Sequence, residues 1–210
     1  LGNVIDPLEL IQTYGLDQTR YFLMREVPFG NDGDFSRTAM VNRINGNLAN
    51  DLGNLAQRSL SMVNKNCAAQ VPQHGAFSDA DKALLDKGKA LLAQVRHELD
   101  AQAFHKALDA IWLVIGDGNR YVDEQAPWAL KKTDPPRMAT VLYVLAESLR
   151  RVALLVQPFM PETMGRLLDQ LAVPQDERDF AAFDVALKPG TALPAPEGIF
   201  PRYVEDATAG

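Results

Sequence analysis

An all-α helical bundle is the fold class that these 210 residues predict. Three observations point there. Apolar residues recur at helical spacing through most of the chain. Serine, aspartate and proline stand where helix starts need them. Strand-type alternation is weak from end to end.

Asp6-Pro7-Leu8-Glu9 combines a capping carboxylate, a proline at the first helical position and an early acid. Gly15 suits the left-handed close of that helix. Asp17 is placed to cap a second short helix through Leu23 and Met24, which ends before Pro28. Pro28-Phe29-Gly30-Asn31-Asp32-Gly33-Asp34-Phe35 is too rich in turn formers for regular helix. Ser36 caps a long helix to about Asn66, with an apolar stripe of Ile44, Leu48, Leu52, Leu55 and Met62. Pro72 and Gly75 mark a loop. Ser78 with Asp81 opens the next helix, carrying Leu84, Leu91, Leu92, Val95 and Leu99. Phe104, Leu108, Ile111, Ile115 and Val122 line another. Pro127 leaves room for a short turn around Trp128. Pro135-Pro136 starts a helix with Val141, Leu142, Leu145, Leu149 and Val152 that stops at Pro158. A last helix runs from about Pro161 to Leu171.

The segment after 172 changes character. Five prolines break it, yet Phe180, Phe183, Ile199, Phe200 and Tyr203 are interspersed. A free linker rarely carries so many large apolar side chains, so this tail is expected to lie against the bundle or against another domain.

Composition narrows the function. Hydrophobic residues make up 47% and charged residues 23%, ordinary for a globular protein. No apolar run reaches the roughly 18 residues a bilayer span needs. The first residues lack a signal peptide and an initiator methionine, which suggests a piece of a longer chain. The single cysteine, Cys67, forms no internal disulfide, and with three scattered histidines it makes a poor metal site, so no metal is expected and the cytoplasm fits. A net charge of −6 argues against a general polyanion-coating protein but leaves room for a local basic face.

No serine, cysteine or threonine sits in an elbow or triad-like motif, and no glycine-rich phosphate loop is present, so no catalytic residue is assigned. Gly116-Asp117-Gly118 reads as close helix packing. His74, His97 and His105 read as surface or satisfied histidines, and Asp123 with Glu124 as a polar helix end. The helix from Ser36 is more informative. It holds Arg37, Arg43, Arg58 and Lys65 against one acid, Asp51. On a wheel of 100° per residue, Arg43, Asn47, Asn50, Asn54, Arg58, Ser61 and Lys65 share a sector of about 80°. Asn is a poor helix former, so its repetition on one face suggests hydrogen-bond readers flanked by phosphate-pairing cations. A solvated polar face or a helix contact is the plain alternative. Trp128, at a break between helices, could stack an unpaired base or pack against a core or domain. Trp112 reads as packing.

Several stretches resemble a known family. Leu1-Gly2-Asn3 looks like the sequence after the Lys-Met-Ser-Lys-Ser loop of class I aminoacyl-tRNA synthetases. Arg20-Tyr21-Phe22-Leu23 with residues 28–36, Asn50-Asp51-Leu52-Gly53-Asn54-Leu55, and Asn119-Arg120-Tyr121-Val122-Asp123-Glu124-Gln125-Ala126-Pro127-Trp128 resemble methionyl-tRNA synthetases specifically. The resemblance runs from Leu1 to about Leu171, and more loosely to Phe200-Pro201-Arg202. It implies a stem-contact connector over 1–35, a helical anticodon-binding domain over 36–172 and a proline-rich tail over 173–210.

The resemblance also implies that Asn54, Arg58 and Trp128 bind the CAU anticodon of tRNA(Met), with Arg43, Asn47 and Asn50 as further RNA contacts. The catalytic domain of that family, which takes ATP with Mg, is not in this sequence, so the chain alone is expected to hold no cofactor and charge no tRNA. That domain and tRNA(Met) are the implied partners, without a membrane and in a monomer. A helical RNA-binding or protein-interaction module acting in trans is the alternative.

Overall fold

The computed structural model describes residues 6–26 and 36–204. The turn-rich stretch 28–35 and the Leu1-Gly2-Asn3 start lie outside the described residues. Regular structure among the described residues is helical, with one isolated antiparallel bridge, between Gln70 and Ala192, linking the loop after α4 to the irregular tail. In chain order the helices are α1 (Pro7–Tyr14), α2 (Leu16–Glu26), α3 (Arg37–Arg43), a π-helical stretch Ile44–Gly53, and α4 (Asn54–Asn66). α5 (Asp79–Asp100), α6 (Phe104–Gln125), α7 (Pro127–Thr133), α8 (Pro135–Val156) and α9 (Pro161–Gln170) follow.

The helix starts obey local capping chemistry. Leu8 N donates to Asp6 Oδ1, Ala39 N to Ser36 Oγ, and Ser78 and Asp81 form a reciprocal capping box. Asp17 behaves differently from its expected role. It sits buried in the first turn of α2, and its Oδ2 accepts from Thr163 N at 2.6 Å, in the first turn of α9. A carboxylate there also complements the α9 dipole. Arg20 donates to the carbonyls of Pro158 and Phe159, each at 2.8 Å. These two residues clamp α2 onto the α8–α9 connection.

α8 is the centre. It packs against α4, α5, α6, α7 and α9, and every residue from Val141 to Arg150 is buried. An apolar surface on all sides is the signature of a core helix. Its buried polar pair is bonded to the tail, with Arg150 Nη1 left unpartnered. Glu147 accepts from Arg150 Nη2 at 2.6 Å and from Leu187 N at 3.1 Å, while Arg150 donates to Phe183 O at 2.8 Å. Phe183, Ile199 and Phe200 are buried in the same continuous core as α1 to α9.

The largest departure from regularity is the π-helical stretch Ile44–Gly53. Its wider turn puts the residue five positions back against each amide. A Cβ on Gly53 would lie 2.9 Å from Leu48 O, so glycine is what lets the chain close up here. Asn45, Gly46, Asn47, Asn50 and Gly53 are all weak α-formers, which lowers the cost of leaving α geometry. α6 supplies side-chain donors to the π carbonyls: Trp112 Nε1 to Asn47 O at 3.2 Å, and Asn119 Nδ2 to Asp51 O at 3.1 Å.

Candidate nucleic-acid interface

Where α6 gives way to α7, the backbone turns in one residue. Ala126 is left-handed at φ 43°, ψ 58°, its N–H donates to Val122 O, and Pro127 follows as the first residue of α7. A left-handed alanine costs roughly 1–2 kcal/mol relative to its ordinary conformation. The turn places Trp128 on the surface, 49% exposed. α7 is a seven-residue helix rather than the single turn expected from Pro127.

The corner is braced from below. Arg137, at the start of α8, donates to Asp81 Oδ2 at 2.5 Å and Oδ1 at 2.8 Å, and to Gln125 Oε1 at 2.6 Å. Tyr121 OH donates to Asp81 Oδ1 at 2.5 Å. Asp81 is fully buried. Burial works against its ionisation, but the bonds from Arg137, Tyr121 and Ser78 N outweigh it and hold the carboxyl down at about 2. Burial, then the Asp81 carboxylate, pushes the Tyr121 phenol up, so it stays a neutral donor. The start of α5, the end of α6 and the start of α8 are thereby tied together beside the Ala126 turn.

Arg58, on α4, comes to the same spot. Its guanidinium carbon lies 5.5 Å from the centre of the Trp128 ring, and its Nη2 is 2.6 Å from Asp123 Oδ1. The three side chains come from α4, α6 and α7. Asn54 stands one turn before Arg58 on α4, exposed, with no hydrogen-bond partner for its side chain among the described residues. Asn54, Arg58 and Trp128 therefore share one exposed corner.

The other residues of the expected face are arranged differently. Arg43 Nε donates to Glu26 Oε2 at 2.9 Å and its Nη1 to Asn47 Oδ1 at 3.1 Å, while Asn47 Nδ2 donates to Asp51 Oδ2 at 3.1 Å. Arg43 and Asn47 are thus spent on an internal chain from α2 to the π turn. Asn50 is exposed and accepts from Arg202 of the tail. The regular 100° wheel breaks because ten of its residues are π-helical.

Two features of the corner go beyond the sequence reading. Asp123 is not merely a polar helix end; it fixes the Arg58 guanidinium. Lys131 and Lys132 are exposed on α7, three and four residues after Trp128 and so on its face of the helix. The i, i+3, i+4 spacing was the available signal. Of the glycines in Gly116-Asp117-Gly118, Gly118 does permit close packing, since a Cβ there would stand 3.0 Å from Leu55 Cδ2; one on Gly116 would meet nothing within 4 Å.

Comparison with known proteins gives a consistent picture. The family model described as the anticodon binding domain of methionyl tRNA ligase matches residues 71–210, and that of class I tRNA synthetases (M) matches residues 1–60. The methionine–tRNA ligase of Brucella suis is 63% identical over 208 residues, covering 98% of this chain and 40% of that protein. That of Mycobacterium tuberculosis is 56% identical over 207 residues, covering 97% and 40%. The crystal structure of the free M. tuberculosis methionyl-tRNA synthetase superposes with a TM-score of 0.95 at 54% identity, covering 97% of this chain and 42% of that one. Its complex with methionyl-adenylate superposes with a TM-score of 0.94 at 55% identity, covering 96% and 40%. The chain spans about 40% of the length of the curated relatives it matches.

Proposed function

This chain belongs to the methionyl-tRNA ligase family, and on that premise we propose that its exposed α4–α7 corner reads the CAU anticodon of tRNA(Met). The observation that carries the proposal is the convergence of Arg58 and Trp128, 70 positions apart in sequence, on one exposed site with Asn54 beside them.

The first anticodon base stacks on the exposed indole of Trp128, a contact of about 1–3 kcal/mol. The Arg58 guanidinium, already held by Asp123, donates to base edges. Asn54 offers both a donor and an acceptor. Because Asp123 and the Asp81–Arg137 brace set these groups before RNA arrives, little ordering remains to be done on binding. Lys131 and Lys132 lie where they meet backbone phosphates without reading sequence.

In this proposal the complete ligase activates methionine with ATP and passes it to the 3′ end of the tRNA, while this chain measures identity at the far end. Among the described residues no group of three or more His, Cys, Asp and Glu is placed to hold a metal ion. In the same reading residues 1–35 are the connector to the catalytic part, 36–172 the reader, and 173–210 the proline-rich tail. Leu8, Leu16 and Leu23, exposed on α1 and α2, are surfaces for that catalytic part to cover. A monomer in the cytoplasm goes with this role. Among the described residues no helix is long and apolar enough to cross a membrane.

Trp128→Ala tests the proposal. Binding of the variant to a CAU stem-loop, and to one whose first anticodon base is changed, is compared with that of the unmodified chain. The preference for CAU is expected to shrink by one stacking interaction, about 1–3 kcal/mol. An equal loss for both loops would reduce Trp128 to a structural role.

A further inference from the structure

We propose that the groove between α4 and the C-terminal tail is a second nucleotide site, and that Gln57 and Arg202 engage the unpaired nucleotide next to the one stacked on Trp128. The proposal rests on the anticodon reading above.

The groove has a volume of about 570 Å³ and opens beside Asn54. Three carboxamides, Asn50, Asn54 and Gln57, line it with one cation, Arg202, over apolar Ile199 and Phe200. Among the described residues no carboxylate lines it. A carboxamide carries donors and an acceptor, the pattern of a nucleobase edge. Among the described residues Asn54 has both free, while one Gln57 Nε2 proton goes to Ser61 Oγ at 3.0 Å and Asn50 Oδ1 accepts from Arg202. A guanidinium with no counter-acid among the described residues suits the phosphate that comes with the base. A neutral ligand would leave that cation unused, and a peptide carboxylate would leave three amides unmatched. Asn54 faces this groove and Arg58, four residues later, faces Trp128, a separation of about 6 Å along the helix axis. Adjacent nucleotides of an unstacked loop reach both places.

The tail wall is built before any ligand arrives. Gln170 and Glu197 exchange two hydrogen bonds, of 2.9 and 3.0 Å, between the Gln170 carboxamide and the Glu197 backbone. Asn45 and Tyr203 do the same, at 3.0 and 2.8 Å. The Tyr203 ring also packs 4.9 Å from that of Tyr14. Residues 198–202 are therefore pinned at both ends across the groove. Between the pins, Arg202 donates to Asn50 Oδ1 at the mouth of the groove, a partner it can exchange for a phosphate.

Gln57 and Arg202 are exposed, so truncating either should leave the fold intact, which a thermal melt checks. The 210-residue chain is titrated with CAU stem-loops that are intact or carry an abasic site at one anticodon position. Arg202→Ala is expected to weaken the intact loop about tenfold and to lower the salt slope by about 1, and Arg202→Lys to restore the slope. Gln57→Ala is expected to remove the penalty of an abasic site at the second or third position and to keep the penalty at the first. If both alanine variants bind every loop as the unmodified chain does while Trp128→Ala still loses CAU preference, the groove is no nucleotide site. If Trp128→Ala also changes nothing, the anticodon reading itself has failed.

Discussion

Arg58 is held on two sides, by the Asp123 carboxylate and by the face of Trp128, although it is one-third exposed. Neither partner is visible from the local pattern of α4, which shows only a cation on a polar face. Helix caps are legible because donor and acceptor lie within three residues, as for Ser36 and Ser78. Asp17 has the same capping chemistry but a partner 146 residues away, so local reading assigned it to its own helix. Asp81 shows how one buried residue supports the corner. Its folded carboxyl titrates at about 2, below the ordinary value of 3.8. A depressed folded value means the stabilisation is complete above the unfolded value and is lost as pH falls. Acid titration is therefore expected to cost of the order of 2 kcal/mol between about pH 4 and pH 2. In Tyr121→Phe, with one bond to the carboxylate gone, that loss should begin at higher pH. Identical acid profiles for the two proteins, followed by circular dichroism, would mean the brace contributes nothing.

At the scale of elements, the π stretch decides which residues of the long helix face outward. Its start, its apolar residues and its basic character were all readable. Its departure from 100° per residue was not, because a π turn depends on donors from another helix. Trp112 and Asn119 of α6 supply them. Asn119→Ala removes a part-buried bond to Asp51 O and one to Ile115 O, and should cost about 1–3 kcal/mol. The register of Asn54 and Arg58 depends on the π turn, so this variant should also lose anticodon affinity without a change in salt slope. A variant that melts earlier but binds normally would show that the π turn is not what aims α4.

Over the whole molecule, the bundle and tail share one core, and buried Glu147 and Arg150 on α8 fasten the tail through the Leu187 amide and the Phe183 carbonyl. The apolar content of the tail signalled that it packs. Its route past Asn50 and Asn54 could not be read, because the pins at Gln170 and Asn45 are ordinary amides far away in sequence. The same core runs from α1 to Phe200. The direct test is the fluorescence anisotropy of the unmodified chain with a labelled CAU stem-loop and with the same loop changed only at its first anticodon base, at one salt concentration. Tighter binding of the CAU loop, by about 1 kcal/mol or more, is the expected result. Equal binding of the two loops would contradict an anticodon-reading corner.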